Sequence, residues 1–273
     1  MDIYFMRPDQ LSEIFEANKQ AWNKRTGVHK GSAFYDVASI KVGKTSLNKI
    51  ELKEVGDVKG KSLLHLQCHF GLDTLSWARE GALVTGIDLS DNAIEYAQQL
   101  SGELKIPAEF ICCNVYDLEE HLNRQFDVVF TSYGVIGWLP DLDKWAAIIS
   151  HFLKPGGTFY IAEFHPVVWM LDENFEKIKY YYHNQEMIAE VTQGTYTDPY
   201  ANIQYEEFSW NHSLSEVMNS LIKHGLQIQL FNEFPYSTYN CFNNLEQGAD
   251  GYWRVKGLED KIPMMYSIKA IKQ

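Results

Sequence analysis

The sequence carries no mark of export or membrane insertion. Met1 to Gln10 lacks the apolar centre of a secretory leader. No run reaches the roughly 18 apolar residues that a membrane span needs. The four cysteines, Cys68, Cys112, Cys113 and Cys241, form no C-x-x-C pair and are expected as reduced thiols in a cytoplasmic protein. Basic residues are in deficit: 24 Lys and Arg against 36 Asp and Glu leave a net charge of −12. With no basic stripe either, the balance argues against general nucleic-acid binding, although a local basic groove is not visible in such an average. Repeats and low-complexity tracts are absent. So is the G-x-G-x-x-G fingerprint that an NAD-linked oxidoreductase would need.

What is present is an ordinary globular chain of 273 residues, 45% apolar and 22% charged, long enough for one large domain with an elaboration. Aromatic residues make up 14%, a high share. Asp9 to Arg25 reads as a helix with Leu11, Ile14, Phe15, Asn18 and Trp22 near one face. A looser segment, Thr26 to Leu47, completes an ordered N-terminal arm, residues 1–48, ahead of a main domain, residues 49–273. From Lys61 strands and helices alternate. Strands are expected at Ser62–Gln67, Leu83–Asp88, Ala108–Cys113, Phe126–Ser132 and Thr158–Phe164, the last entered by a tight turn at Pro155-Gly156-Gly157. Helices fall between them, one of them N-capped by Ser90. This alternation implies a parallel sheet with helices on both faces.

Residues 170–210 break the rhythm. Ile178–His183, Ile188–Thr192 and Ile203–Phe208 are read as strands of a small antiparallel, aromatic-rich insertion. A capping box, Ser213 with Glu216, then starts a helix, and Leu226–Glu233 and Met264–Ile271 add two strands. About seven sheet strands result, with two small additions.

The informative stretch is Leu63-Leu64-His65-Leu66-Gln67-Cys68-His69-Phe70-Gly71, a buried strand running into a loop and a helix. In open α/β sheets ligands sit beyond the carboxyl ends of the strands. Asp88 ends the second strand, 17 residues after Gly71, and a carboxylate there can accept hydrogen bonds from both ribose hydroxyls of an adenosine-bearing cofactor. Asn114, at the end of the third strand, can meet the polar edge of adenine. Ser90 is available to cap the next helix, which frees Asp88.

These motifs resemble the class I S-adenosylmethionine-dependent methyltransferases over residues about 60 to 168. Leu63 to Gly71 stands for that family's strand and glycine-rich loop. Val84-Thr85-Gly86-Ile87-Asp88 stands for the ribose-binding strand, and Phe126-Asp127-Val128-Val129-Phe130 and Leu153-Lys154-Pro155-Gly156-Gly157 match the later motifs. More narrowly, Leu64 to Gly71 with Asp73-Thr74-Leu75-Ser76, Trp22-Asn23 and Trp210-Asn211-His212 resemble an uncharacterised bacterial subgroup of small-molecule type. The resemblance implies a Rossmann-like seven-stranded, mostly parallel sheet and S-adenosyl-L-methionine as cofactor. It implies Gln67, Cys68, His69 and Gly71 around the cofactor's amino-acid end, Asp88 and Leu89 at the ribose, Asn114 and Val115 at adenine, and Ser132 beside the methionine. Trp22, Arg25, His29 and Tyr35 of the arm each read first as packing and capping residues; as a group they can close over the methionine end, with Arg25 pairing with its carboxylate. Tyr133 and Trp138, after the fourth strand, are expected to face the acceptor.

The sequence departs from the family where an acidic residue is usual, at His65, and where glycines are usual, at Gln67 and His69. Without those glycines the loop is expected to keep to common backbone dihedrals. His65 and His69 do not suggest a metal site: on a strand four residues span roughly 13 Å, too far to share one ion. His165, after the fifth strand, is a candidate general base because its ordinary pKa of about 6.5 allows either state near neutrality; the plainer reading is a loop histidine before Pro166. The tyrosine-rich insertion is read as a cap over a small-molecule acceptor, or as cover for a sheet edge or a homodimer contact. Methyl transfer from a sulfonium is an in-line displacement that mainly requires alignment and exclusion of water. A cofactor-binding protein without catalysis stays open, because the acceptor half of the sequence is not legible.

Overall fold

The computed structural model describes residues 8–183 and 186–273. Three helices come first: α1 (Pro8–His29), α2 (Val37–Lys41) and α3 (Lys49–Val55). The alternating part follows as β1 (Ser62–Leu66), α4 (Leu72–Arg79), β2 (Leu83–Asp88), α5 (Asp91–Leu104), β3 (Glu109–Cys112), α6 (Leu118–His121), β4 (Phe126–Ser132), α7 (Leu142–Phe152), β5 (Leu153–Phe164) and α8 (Pro166–Trp169). The hairpin β6 (Ile188–Gln193) and β7 (Gln204–Ser209) precedes α9 (Leu214–Lys223) and β8 (Leu226–Phe234). A short pair, β9 (Leu245–Gln247) and β10 (Trp253–Val255), precedes β11 (Met265–Lys272).

Seven strands form one sheet in the order β3-β2-β1-β4-β5-β11-β8. The first five are parallel, and β11 runs antiparallel to both of its neighbours. The order reverses between β1 and β4, which opens a crevice at their carboxyl ends. β1 is buried on both faces, as the unbroken apolar run requires. Leu64, Leu66, Val129 and Phe159 pack under Trp145, Ile149 and Phe152 of α7. Leu63, Val128, Phe130 and Tyr160 face Trp77 of α4 on the other side.

Several details differ from the sequence reading. α1 continues past Arg25 to His29, and the looser segment contains α2. Helix α3 was not expected, although its capping box, Asn48 with Glu51, stands in the sequence. The Pro-Gly-Gly turn lies inside β5 as a bulge: Phe126 pairs with Leu153 and Val128 with Thr158, and the residues between loop out.

Ile178–His183 is not a strand. It has one isolated bridge, Leu171 to Ile178, and turns. The hairpin offers it no free edge on β7, because α1 has taken that side. Asn18 donates from Nδ2 to the Phe208 carbonyl at 2.9 Å and accepts from the Phe208 N–H at 2.8 Å, as a neighbouring strand would. Lys24 reaches the Gln204 carbonyl. On its other side α1 meets α5, where Lys19 pairs with Asp91 and Asn23 accepts from the Ser90 hydroxyl. The first helix therefore ties the insertion to the sheet.

Candidate functional site

A cavity of about 940 Å³ lies over the carboxyl ends of β1, β2, β4 and β5, roofed by α1 and the β6–β7 hairpin. This is the upper end of the volume range for small-molecule and cofactor sites, about 300–1,000 Å³.

Its floor is the loop between β1 and α4. Gln67, His69 and Gly71 have φ of 54°, 50° and 78°, all left-handed. The expectation of common dihedrals is thus overturned: the loop keeps a glycine-like path although two of the residues carry side chains. Each such residue costs on the order of 1–3 kcal/mol unless its surroundings hold it. They do. The His69 N–H donates to Asp88 Oδ2 and the Cys68 N–H to the Ile87 carbonyl, both at 2.8 Å. Gln67 Nε2 donates to the Val135 carbonyl at 2.9 Å. Gly71 itself is required by packing, since a Cβ there would stand 2.6 Å from the Phe110 ring.

Asp88 closes the floor. Its two oxygens accept from the N–H groups of His69 and Ser90, and burial pushes its carboxyl up to about 6. A carboxylate has about four acceptor positions, so capacity remains for a hydroxyl donor. Ser90 caps α5 through its hydroxyl, as expected. Asn114 Oδ1 accepts from the Tyr116 N–H at 3.1 Å, which leaves its NH₂ for the cavity. Leu89 and Val115 also line it.

The arm supplies an aromatic wall. Trp22 meets His69 and Trp138 edge-on at 5.2 and 5.4 Å. His29 and His69 share a hydrogen bond of 3.0 Å, and burial holds both imidazoles neutral, His29 down at about 3. The Tyr35 hydroxyl meets that of Tyr196. Arg25 departs from its expected role. Its guanidinium is ion-paired with Glu207, bonded through Nε to the Tyr205 hydroxyl at 2.8 Å, and stacked between Trp22 and Trp138. A buried guanidinium already satisfied by a carboxylate has no call for a second one, so its work is to clamp α1 to the hairpin.

At the end of β4, Ser132 donates to Asp73 Oδ2 at 3.1 Å. Tyr133, at φ 41°, lines the cavity and donates to Glu51 Oε2 at 3.0 Å. Glu51 is fully buried, its other oxygen accepts from the Asn48 N–H and amide, and burial raises its carboxyl to about 7. Glu163 accepts from the N–H groups of Gly134, Val135, Ile136 and Phe164 and so fixes the loop that carries Trp138.

His165 is not where a general base must be. Its Nε2 meets Glu233 at 2.9 Å, its Nδ1 accepts from the Val167 N–H as the cap of α8, and it does not line the cavity. β5 ends at Phe164, so Glu163 still projects from the strand to the loop over the cavity, whereas His165 opens α8 and lies beside Tyr266. Cys68 is buried behind the loop, where desolvation pushes its thiol up. Tyr180 and Tyr196 of the expected cap reach the cavity, as does Trp169 just before it, whereas Tyr181 and Tyr200 are 82% and 94% exposed. The sequence reading missed Asp73, Glu51 and Tyr239, whose ring meets that of Tyr133 at 5.0 Å and whose hydroxyl accepts from the Asn48 amide. Only Glu51 carried a signal, its capping box.

The sheet order and the polar groups at successive strand ends define a class I S-adenosylmethionine-dependent methyltransferase fold. Residues 64–161 match the family model described as a methyltransferase domain. Among curated proteins the chain is 33% identical over 105 residues to a ubiquinone biosynthesis O-methyltransferase of Chromobacterium violaceum, covering 38% of this chain and 45% of that protein. The corresponding enzyme of Pseudomonas syringae pv. tomato is 29% identical over 148 residues, 54% of this chain and 60% of that protein. The chain spans about half the length of the curated relatives it matches. Among solved structures, an S-adenosylmethionine-dependent methyltransferase from Clostridium acetobutylicum aligns with TM-score 0.56 at 13% identity, over 90% of this chain and 94% of that one. One from Methanosarcina mazei gives 0.56 at 18%, over 83% and 98%.

S-adenosyl-L-methionine is the cofactor of this family, and the residues present fit it. Asp88 and Asn114 offer acceptor and donor groups at the second and third strand ends. Two buried polar atoms on the floor, Gln67 Oε1 and His69 Nδ1, have no hydrogen-bond partner in the protein.

Proposed function

We propose that this chain is a methyltransferase that moves a methyl group from S-adenosyl-L-methionine to a small-molecule acceptor. The observation that carries the reading is the alignment of Asp88, Asn114 and the left-handed Gln67–Gly71 loop along one cavity. When bound, the cofactor supplies an already activated methyl group. The protein's own part is then to orient and to exclude water. Asp88 and Leu89 hold the ribose, Asn114 and Val115 the adenine, and Gln67, His69 and Ser132 the amino-acid end. Trp22, Tyr35 and Trp138 keep water out. Tyr133 faces the acceptor, and its hydroxyl can pass a proton to Glu51 if the acceptor must lose one. An oxygen acceptor is favoured by the naming of the curated relatives as O-methyltransferases.

We read residues 1–48 as an arm over the site, 49–273 as the methyltransferase domain, and 170–210 as the acceptor cap. Four unpaired thiols support a reducing, cytoplasmic setting. Among the described residues no helix is long and apolar enough to cross a membrane. The exposed β6–β7 face, with Val191 at 68% exposure, is compatible with a homodimer contact. Calorimetric titration with S-adenosylmethionine, S-adenosylhomocysteine and NAD tests the cofactor: the first two should bind and NAD should not. Transfer of labelled methyl to a panel of small hydroxyl, amine and thiol compounds tests the reaction.

A further inference from the structure

The end of the cavity that holds Tyr133 has a wall from an unexpected part of the chain. The connection between β8 and β11 brings Thr238, Tyr239, Cys241 and Phe242 to it. Tyr239 meets Tyr133 edge-on with ring centroids 5.0 Å apart, and Phe34 of the arm stacks on it at 5.6 Å. Phe242 lies edge-on to Phe164 at 4.9 Å and to Trp169 at 5.4 Å. These rings give the wall an apolar, flat-faced lining.

Asn48 and Glu51, joined as the capping box of α3, set the two tyrosine hydroxyls in opposite senses. Asn48 Nδ2 spends one N–H on Glu51 Oε1 and the other on the Tyr239 hydroxyl, both at 3.0 Å. The amide has to present its nitrogen here, since its oxygen would meet a carboxylate oxygen. The Tyr239 oxygen therefore receives, and its own proton has no acceptor among the described residues. Tyr133 is the reverse: it donates to Glu51 Oε2 at 3.0 Å, so only lone pairs are left to it. Burial pushes both phenols up, so both keep their protons near neutrality. A packing role accounts for the two rings and for the Asn48 bond, but it leaves the Tyr239 proton unused.

Two neighbouring hydroxyls on one cavity thus offer one donor and one acceptor. Resting on the methyltransferase reading above, we propose that Tyr239 binds the methyl acceptor and, paired with Tyr133, selects a neutral hydroxyl on a flat apolar body over an amine. Tyr133 receives the hydroxyl's proton and Tyr239 donates to its oxygen. An ammonium has no lone pair for Tyr239, and an ether has no proton for Tyr133, so each forfeits one of the two bonds.

The test is ligand-observed NMR titration of protein saturated with S-adenosylhomocysteine. It is run at about pH 8, above the Glu51 value of about 7, so that this carboxylate is ionised. Three probes are used: para-cresol, which gives and receives; para-methylanisole, which only receives; and para-methylbenzylamine, whose ammonium only gives. Wild type should bind para-cresol most tightly. Tyr239→Phe should weaken para-cresol and para-methylanisole by about two- to tenfold, the worth of a neutral hydrogen bond, and leave the amine within about twofold. Tyr133→Phe should weaken para-cresol and spare para-methylanisole. An unchanged S-adenosylhomocysteine affinity in Tyr239→Phe shows that this variant is folded, and a clear loss of that affinity would overturn the proposal by making Tyr239 a support of the cofactor half. Equal weakening of the three probes in Tyr239→Phe, or no change in any, overturns it too. So does a wild type that holds S-adenosylhomocysteine but prefers the amine or binds no probe. Wild type that fails to hold S-adenosylhomocysteine would sink the cofactor reading itself.

Discussion

The main-chain N–H of His69 donates to Asp88 Oδ2 at 2.8 Å, so one carboxylate both fastens the loop beyond β1 to the tip of β2 and faces the cavity. Loop shape and ligand contact are therefore coupled through a single side chain. Its pKa, raised to about 6, reflects burial offset by the N–H donors of Ser90, His69 and Leu89.

Asp88→Ala should weaken S-adenosylhomocysteine binding by about 1.5–3 kcal/mol, the range for a charge-assisted hydrogen bond. In wild-type protein affinity should fall as pH drops through about 6, because protonation removes the acceptor. Titrations at pH 5 and 7.5 with equal affinity would refute the ribose assignment.

Gln67 holds a left-handed conformation through tertiary contacts alone. Gln67→Gly relieves strain of about 1–3 kcal/mol but loses a hydrogen bond of about 0.5–1.5 kcal/mol and adds chain entropy worth about 0.5–1 kcal/mol. The net change in stability should lie within about 2 kcal/mol of zero. Gln67→Val keeps the strain, adds β-branching and loses the bond, so it should destabilise clearly. Denaturant unfolding of the two variants decides; equal stabilities would show that the backbone there is not constrained.

Arg25 and Glu207 form a buried ion pair that joins α1 to β7, with side chains 8% and 11% exposed. Removing one partner strands the other. Arg25→Met alone should cost about 3 kcal/mol or more, and adding Glu207→Leu should restore part of that loss. A double variant no more stable than Arg25→Met would mean the charge pair is not what holds the helix.

Glu51 sets a pH dependence of stability. Its carboxyl rises from an ordinary value of 4.5 to about 7 in the folded protein. The folded state therefore binds the extra proton between these values, and stability falls as pH rises through that window. The penalty is absent below the unfolded pKa and complete above about 7, where it is on the order of 3 kcal/mol. Asp88 acts with the same sign between 3.8 and about 6. Glu51→Gln should flatten the decline between pH 5 and 8 in thermal unfolding, and an unaltered slope would remove Glu51 as its source.

Much of the architecture was legible in the sequence because it is written locally. The apolar run Leu63–Leu66 can only be an inner strand, and the helix of Asp91–Leu104 announces itself through Ser90. Asp88 and Asn114 could be placed at strand ends because counting residues along a βαβ unit places them there. α3 was missed although its capping box was visible, because seven residues carry too little periodicity.

The sequence by itself determined the order of strands and helices and which strand ends face one crevice, since these follow from period, caps and chain connectivity. Tertiary structure alone decided what each side chain does there. Arg25 finds Glu207 across 182 residues, His165 turns to Glu233, and Gln67 and His69 keep a glycine's backbone because neighbours hold them. Such choices depend on contacts between distant segments, where the energy of a buried charge or a closed hydrogen bond outweighs any local preference of the chain.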